Sequence, residues 1–176
     1  MKLFILGHAR HGKDFAAEIL ADEFGYRHES SSHFCMRVFL REAVEAELGF
    51  AYDSDDQCFD DRVNHRQLWF DLIRDYTRHD PAKLARQLFD RYDIYVGIRS
   101  RIEYAAARHL ADLSIWIDAT DRLGTPLNVH PDMVQQSDAD VIVQNNGTPE
   151  EFRAKLCRLF SRLLELTADE FRARVA

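Results

Sequence analysis

The eight residues Gly7-His8-Ala9-Arg10-His11-Gly12-Lys13-Asp14 constrain the fold more than any other stretch of this chain. The apolar run Leu3-Phe4-Ile5-Leu6 precedes them, and the helical pattern Phe15-Ala16-Ala17-Glu18-Ile19-Leu20 follows. Strand, glycine-bounded loop and helix in that order is the context of a phosphate-binding loop, or P-loop. A glycine at each end lets the backbone curl until successive N–H groups face one centre. Those groups and the helix N-terminus then form a cradle for anionic oxygens. Gly7, His8, Ala9, Arg10, His11, Gly12, Lys13 and Asp14 are therefore the expected nucleotide-binding residues, with Lys13 reaching the β- and γ-phosphates. The bland alternative is an ordinary strand-to-helix turn carrying a chance lysine.

One position departs from the usual pattern. The residue after the lysine is commonly Ser or Thr, whose hydroxyl holds Mg²⁺. Here it is Asp14, followed by Phe15. A carboxylate can hold Mg²⁺ directly or through water. Asp14 can equally serve only to favour the positive end of the helix.

The 176 residues suit one domain, 1–176, with a sizeable core. The apolar start covers only Leu3 to Leu6, and no segment is long enough to span a bilayer. No signal peptide and no membrane partner are expected, and a cytoplasmic location is. Cys35, Cys58 and Cys157 are far apart without metal-binding spacing, which suits unpaired thiols in a reducing compartment. A net charge of −7 excludes an overall basic nucleic-acid binder, but local arginine clusters leave room for a restricted basic groove.

Short apolar runs at Lys2–Leu6, Tyr26–Ser30, Ile94–Ile98, Leu113–Asp118 and Asp140–Gln144 read as strands buried on both faces of a parallel sheet. Between them lie helical patterns over Lys13–Glu23, Phe34–Leu48, Phe59–Tyr76, Pro81–Tyr92, Arg101–His109 and from Pro149 to the end. Such alternation predicts an α/β fold of three layers, a five-stranded, mostly parallel sheet flanked by helices. Residues 119–139, with Pro126 and Pro131 and no clear period, read as a mobile loop or short lid.

Ligands of parallel sheets sit beyond the carboxyl ends of the strands. The second strand runs into Glu29-Ser30-Ser31-Ser32-His33. Glu29 is the candidate base for an acceptor hydroxyl. Ser30, Ser31 and Ser32 are candidates to bind a sugar, base edge or phosphate, or else to cap the next helix. After the third strand, Arg99 and Arg101 suit forked hydrogen bonds to transferring oxygens, unless surface carboxylates pair with them. Asp118 ends the fourth strand as a second Mg²⁺ candidate or a cap, and Arg122 follows as a cation at the start of the lid. Arg62, His65, Arg66 and Trp69 fall on one face of the predicted helix Phe59–Tyr76, a row that can hold a phosphorylated, stacked base or remain a solvated face with Trp69 in the core. Asn145 and Asn146, in a tight turn after the fifth strand, are candidates to lie beside the donor base.

These pieces together resemble the phage-type deoxynucleoside monophosphate kinases and their relatives among the P-loop kinases. The resemblance is carried by Gly7–Asp14, by Arg99 with Arg101, and by Asn145-Asn146-Gly147-Thr148 before the last helix. The fuller runs Gly7–Asp14 and Tyr95-Val96-Gly97-Ile98-Arg99-Ser100-Arg101 are most similar to a phage branch that phosphorylates 5-hydroxymethyl-deoxyuridine within DNA, a step in thymidine hypermodification. The resemblance implies a P-loop kinase fold, ATP and Mg²⁺ as cofactors, and a deoxynucleotide acceptor, free or within DNA. The oligomeric state stays open. Free-nucleotide kinases typically carry an aspartate at the end of the third strand, where this chain has Val96-Gly97-Ile98. Any metal-positioning role then passes to Asp14 or Asp118. The alternatives are a free deoxynucleoside monophosphate kinase and an ATP-binding regulatory module.

Overall fold

A computed structural model describes residues 1–124, 126 and 130–175, with side chains described as far as Leu166. The strands β1 (Leu3–Leu6), β2 (His28–Ser30), β3 (Ile94–Val96), β4 (Leu113–Asp118) and β5 (Val141–Gln144) form one sheet in the order β2-β3-β1-β4-β5. Every pairing is parallel. β1 sits at the centre, and the chain builds first to one side of it and then to the other. The loop leaving β1 therefore lies at the topological switch point, where open α/β sheets bind their ligands.

Alternation along the strands divides the core in two. Leu3 and Ile5 of β1 face the helices α1 (Lys13–Phe24) and α9 (Pro149–Val175), where Ile19, Leu20, Phe152, Leu156 and Phe160 complete one apolar cluster. Phe4 and Leu6 face the opposite side. That side carries α2 (Ser31–Cys35), α3 (Arg41–Leu48), α4 (Asp55–Asp61), α5 (Arg66–Thr77), α6 (Lys83–Phe89) and α7 (Arg101–Ala107). The sheet and its two helical layers match the expected architecture. Among the cysteines, Cys35 and Cys58 pack in this second cluster. Burial pushes the Cys35 thiol up to about 12, far from a reactive thiolate.

The second layer departs from the sequence expectation in two places. The helix expected over Phe34–Leu48 begins at Ser31 and passes through a π segment, Met36–Leu40, before α3. The helix expected over Phe59–Tyr76 is two helices. Arg62, Asn64 and His65 donate their N–H groups to carbonyls three residues back, and the Asn64 amide donates to the Asp61 carboxylate at 2.6 Å. Val, Asn and His are weak helix formers, and an Asn side chain competes with the backbone ladder. The chain turns an elbow there, so Arg62, His65, Arg66 and Trp69 do not form one helical row.

Part of the 119–139 segment is also ordered against the sheet. Thr120–Leu123 forms α8, and the Val134 N–H donates to the Arg99 carbonyl at 2.8 Å. Ser100 and Met133 pair as an antiparallel bridge, and the Arg101 N–H donates to the Asp132 carbonyl at 2.9 Å. Thr125 and residues 127–129 of the expected lid lie outside the described residues.

Candidate active site

A cleft of about 860 Å³ opens at the carboxyl ends of β1, β2 and β3. Its walls include the first loop, the segment from His28 to His33, and the segment from Val96 to Arg99. These are three of the five strand ends that the sequence nominates.

The phosphate end is made of backbone. Gly7 has φ +140, and a Cβ there would stand 2.6 Å from the Ile117 carbonyl oxygen, so the loop leaves the sheet by a path that a side chain would block. Gly12 has φ +95 and packs as tightly against the Asn145 amide, where a Cβ would lie at 2.5 Å. That amide donates to the His11 carbonyl at 2.8 Å. His11 is buried beneath the loop, and its Nδ1 accepts the Ala119 N–H at 3.0 Å. Burial pulls the His11 pKa below the ordinary 6.5, which agrees with a neutral ring acting as acceptor. His8 packs edge-on against Trp116 at 5.0 Å and is likewise shifted down, by burial first and then by His11 and Lys13.

Helices α2, α4, α7 and α9 have side-chain caps from Ser30, Ser54, Ser100 and Thr148. No side chain caps α1, as is also true of α3, α5, α6 and α8, but among these α1 alone begins at the cleft, where its first-turn N–H groups can meet a ligand. Lys13 donates to the His8 carbonyl at 2.8 Å and so folds over the loop. Burial lowers its pKa from the ordinary value, Asp14 opposes the fall and Arg99 adds to it. This constellation fits a chain of phosphates: free amides, an ammonium group and space that a Cβ would have filled.

The two metal candidates differ. Asp14 is exposed at the cleft, and no hydrogen bond or ion pair holds its carboxylate among the described residues. Asp118 accepts from the Thr120 hydroxyl, from the Thr120 N–H at 3.0 Å and from the Gln144 amide at 3.1 Å. Against the pull of burial, these bonds hold its carboxyl below the ordinary range. Both of its oxygens already accept bonds from the protein, and it is not among the residues that line the cleft. No group of three or more metal-binding side chains occurs among the described residues. Mg²⁺ commonly takes one or two carboxylates with phosphate oxygens and waters, and Asp14 alone fits that kind of site.

The acceptor end is made of side chains. Glu29, Ser30, Ser31 and Ser32 line the cleft as expected. Glu29 accepts from Arg37 and, at 3.3 Å, from the Tyr92 hydroxyl. Ser30 caps α2 through the His33 N–H at 3.2 Å and contacts His33 Nδ1 at 2.9 Å. His33 thus lies stacked on Phe59, with ring centroids 3.5 Å apart and planes 13° from parallel. The Arg62 guanidinium sits over the same ring at 3.7 Å. Two groups that close must occupy opposite faces of Phe59. Trp69 is buried behind it, edge-on at 6.1 Å. Phe59 and His33 are site residues that the sequence reading passed over. An aromatic in a helical pattern reads as core, and only the elbow after Asp61 turns this one toward the cleft.

Six further expected residues sit elsewhere. His65 pairs with Asp61 at 3.1 Å and braces the elbow, and Arg66 is exposed outside the cleft lining. Arg101 pairs with Asp138 at 2.7 Å instead of joining Arg99 at the cleft. Arg122 donates to the Asn145 carbonyl at 3.4 Å, and Asn146 donates to Asp121 and Gln144. Arg122, Asn145 and Asn146 gather at the ends of β4 and β5, outside the cleft lining. Arg99 lines the cleft, and no hydrogen bond or ion pair holds its side chain among the described residues.

No family model and no curated protein matches the sequence. Solved structures do match over nearly the whole chain. Dephospho-CoA kinase from Campylobacter jejuni is similar with a TM-score of 0.55 at 15% identity, covering 93% of this chain and 98% of that one. A structure from Thermus thermophilus gives a TM-score of 0.53 at 15% identity, covering 94% and 96%. Shikimate kinase from Aquifex aeolicus gives 0.43 at 16% identity, covering 97% and 99%. The chain shares the three-layer α/β fold of the Campylobacter and Thermus structures. Identities this low carry the architecture alone; the chemistry has to be argued from the site. No described helix is long and apolar enough to cross a membrane.

Proposed function

We propose that this chain transfers the γ-phosphoryl group of ATP to a deoxynucleotide acceptor, the best candidate being the 5-hydroxymethyl group of 5-hydroxymethyl-deoxyuridine within DNA. The observation that carries the reading is that a cradle of free amides with Lys13 and a carboxylate, Glu29, open into the same cleft. Bound MgATP would supply the phosphoryl group and offset part of its charge. The chain's own residues then do the positioning and the electrostatics that such transfers require. The loop amides and Lys13 hold the phosphates. Asp14 is the candidate metal ligand. Arg99 faces the transferring group with free N–H donors. Glu29, kept in place by Arg37 and Tyr92, takes the proton of an acceptor hydroxyl.

The stack of His33, Phe59 and Arg62 supports a planar acceptor over a polyol, because every base offers a π face. The second reading is a free deoxynucleoside monophosphate kinase. Arg99, Ser31 and Ser32 favour it, since they suit an acceptor phosphate at the same cleft.

The test uses radiolabelled ATP with duplex DNA, with and without 5-hydroxymethyluracil. Label confined to the modified duplex is the expected result. Equal label on both, or none on either, removes the first reading, and diphosphate formed from a panel of deoxynucleoside monophosphates establishes the second. Glu29→Gln separates the chemistries further. It slows transfer to a hydroxyl by about 100-fold or more and spares transfer to an already ionised phosphate.

A further inference from the structure

Arg10 is the only non-glycine residue with positive φ among the described residues, at 68°. Crowding between Cβ and the backbone disfavours that conformation for any L side chain, and glycine adopts it freely. A residue kept there against its backbone preference invites a functional explanation, in that order of inference. Packing supplies no other. The Arg10 side chain is exposed, and no hydrogen bond, ion pair or ring contact holds it among the described residues.

Exposed arginines such as Arg66, Arg78 and Arg91 share that freedom but lie outside the cleft, whose wall Arg10 joins. Arg37, Arg41, Arg101, Arg108 and Arg153 each pair with a carboxylate. The chain has 30 acidic residues against 23 Lys and Arg, so partners are not scarce. Yet Arg10 and Arg99 stand unpaired in the wall of one cleft with Lys13. The same wall carries Asp14, Glu18 and Glu29, of which Glu29 is paired with Arg37, so Arg10, Lys13, Arg62 and Arg99 outnumber the remaining carboxylates and leave a net positive field for an incoming polyanion. The sequence nominated Arg101 as the second guanidinium at the reacting phosphorus, and Asp138 has taken it.

We infer that Arg10, not Arg101, supplies that second guanidinium, and that it acts as a catalytic residue from the crown of the phosphate loop. The inference rests on the phosphotransferase reading above and deepens it. In the transfer, an acceptor oxygen forms a bond to the γ-phosphorus. The bond from that phosphorus to the β,γ-bridging oxygen breaks, and its electron pair stays on the departing nucleoside diphosphate. The acceptor proton passes to Glu29 for a hydroxyl, or to solvent when water is the acceptor. The guanidinium stays protonated throughout. It donates N–H bonds to the equatorial oxygens, whose charge is spread widest in the transition state.

The test needs no knowledge of the natural acceptor. It measures single-turnover hydrolysis of MgATP, with water as acceptor, alongside calorimetric binding of a non-hydrolysable ATP analogue, for wild type, Arg10→Gly and Arg10→Lys. A purely structural residue gains from glycine, which relaxes the backbone. The inference predicts otherwise. Arg10→Gly melts no lower than wild type, binds the analogue within about threefold, and hydrolyses ATP about 100-fold or more slowly. Arg10→Lys, which keeps a charge but loses the fork, falls between them. Wild-type turnover in Arg10→Gly overturns the inference, as does a loss of analogue binding equal to the loss of rate. If Arg10→Gly fails to fold, Arg10→Lys decides alone: a rate at least about tenfold down supports the inference and an unchanged rate overturns it. A wild-type protein that binds no analogue removes the phosphotransferase reading itself, which distinguishes that failure from this one.

Discussion

The two ends of the cleft are made of different material. At the end proposed for phosphate the wall is chiefly main chain, joined by Lys13 and Arg99: loop amides, the uncapped start of α1, and glycines so closely packed that a methyl group would strike Ile117 or Asn145. At the end proposed for the acceptor the wall is side chains from separate elements, Glu29 from β2, His33 from α2, Phe59 from α4 and Arg62 at the elbow that follows it. Backbone tolerates almost no change of geometry, whereas side chains can be exchanged one at a time. The phosphate end is therefore expected to be all-or-none under substitution, and the acceptor end graded and selective.

Gly7→Ala tests the all-or-none half and carries the largest effect. The new Cβ would meet the Ile117 carbonyl at 2.6 Å at a φ of +140. The loop must move, at a stability cost of about 2 kcal/mol, and calorimetry should find ATP affinity reduced by about 100-fold or more. Near-normal affinity would mean that side chains, not amides, hold the phosphates.

Phe59→Leu tests the graded half. It removes the ring between His33 and Arg62 while keeping an apolar group in front of Trp69. Both faces of the ring are covered, so an acceptor base would stack on the outer face of His33 or Arg62, which Phe59 holds flat. With stacking worth about 1–3 kcal/mol, KM for a nucleotide acceptor should rise by up to about 100-fold while the ATP dissociation constant stays fixed. A shift in the ATP constant instead would show that the two ends are not separable.

The smallest effect concerns pH. His11 has its pKa lowered by burial from the ordinary 6.5. Between the lowered value and 6.5 the unfolded chain binds more protons than the folded one, so stability rises with pH across that window. On acidification it falls from about pH 6.5 downward, as protonation of His11 Nδ1 breaks its bond with the Ala119 N–H. Urea melts between pH 5 and 7 should show this slope, and His11→Asn should flatten it. An unchanged slope would assign it to other groups.

The same contrast governs what the sequence could reveal. β1, the loop and α1 were legible because their geometry follows from local spacing: an apolar run, bounding glycines and a helical period. β4 was read to its exact limits for the same reason, while β3 stops at Val96 and β2 starts only at His28. The acceptor end was half legible. Glu29 and the serines follow directly from a strand end. Phe59 needed the elbow, and the elbow depends on Asn64 bonding Asp61 in preference to the helical ladder. Arg101 was misplaced because its partner, Asp138, comes from a distant segment that pattern alone does not bring near.

The bond from Lys13 to the His8 carbonyl has a consequence for energetics. The resting ammonium group is not waiting in solvent; it already holds an oxygen of its own chain. Arrival of a nucleotide is therefore a swap of one oxygen for another, with little net change in bond number at this residue. Affinity here should come from the difference between an anionic and a neutral oxygen, and should weaken with added salt more steeply than a simple count of new contacts suggests.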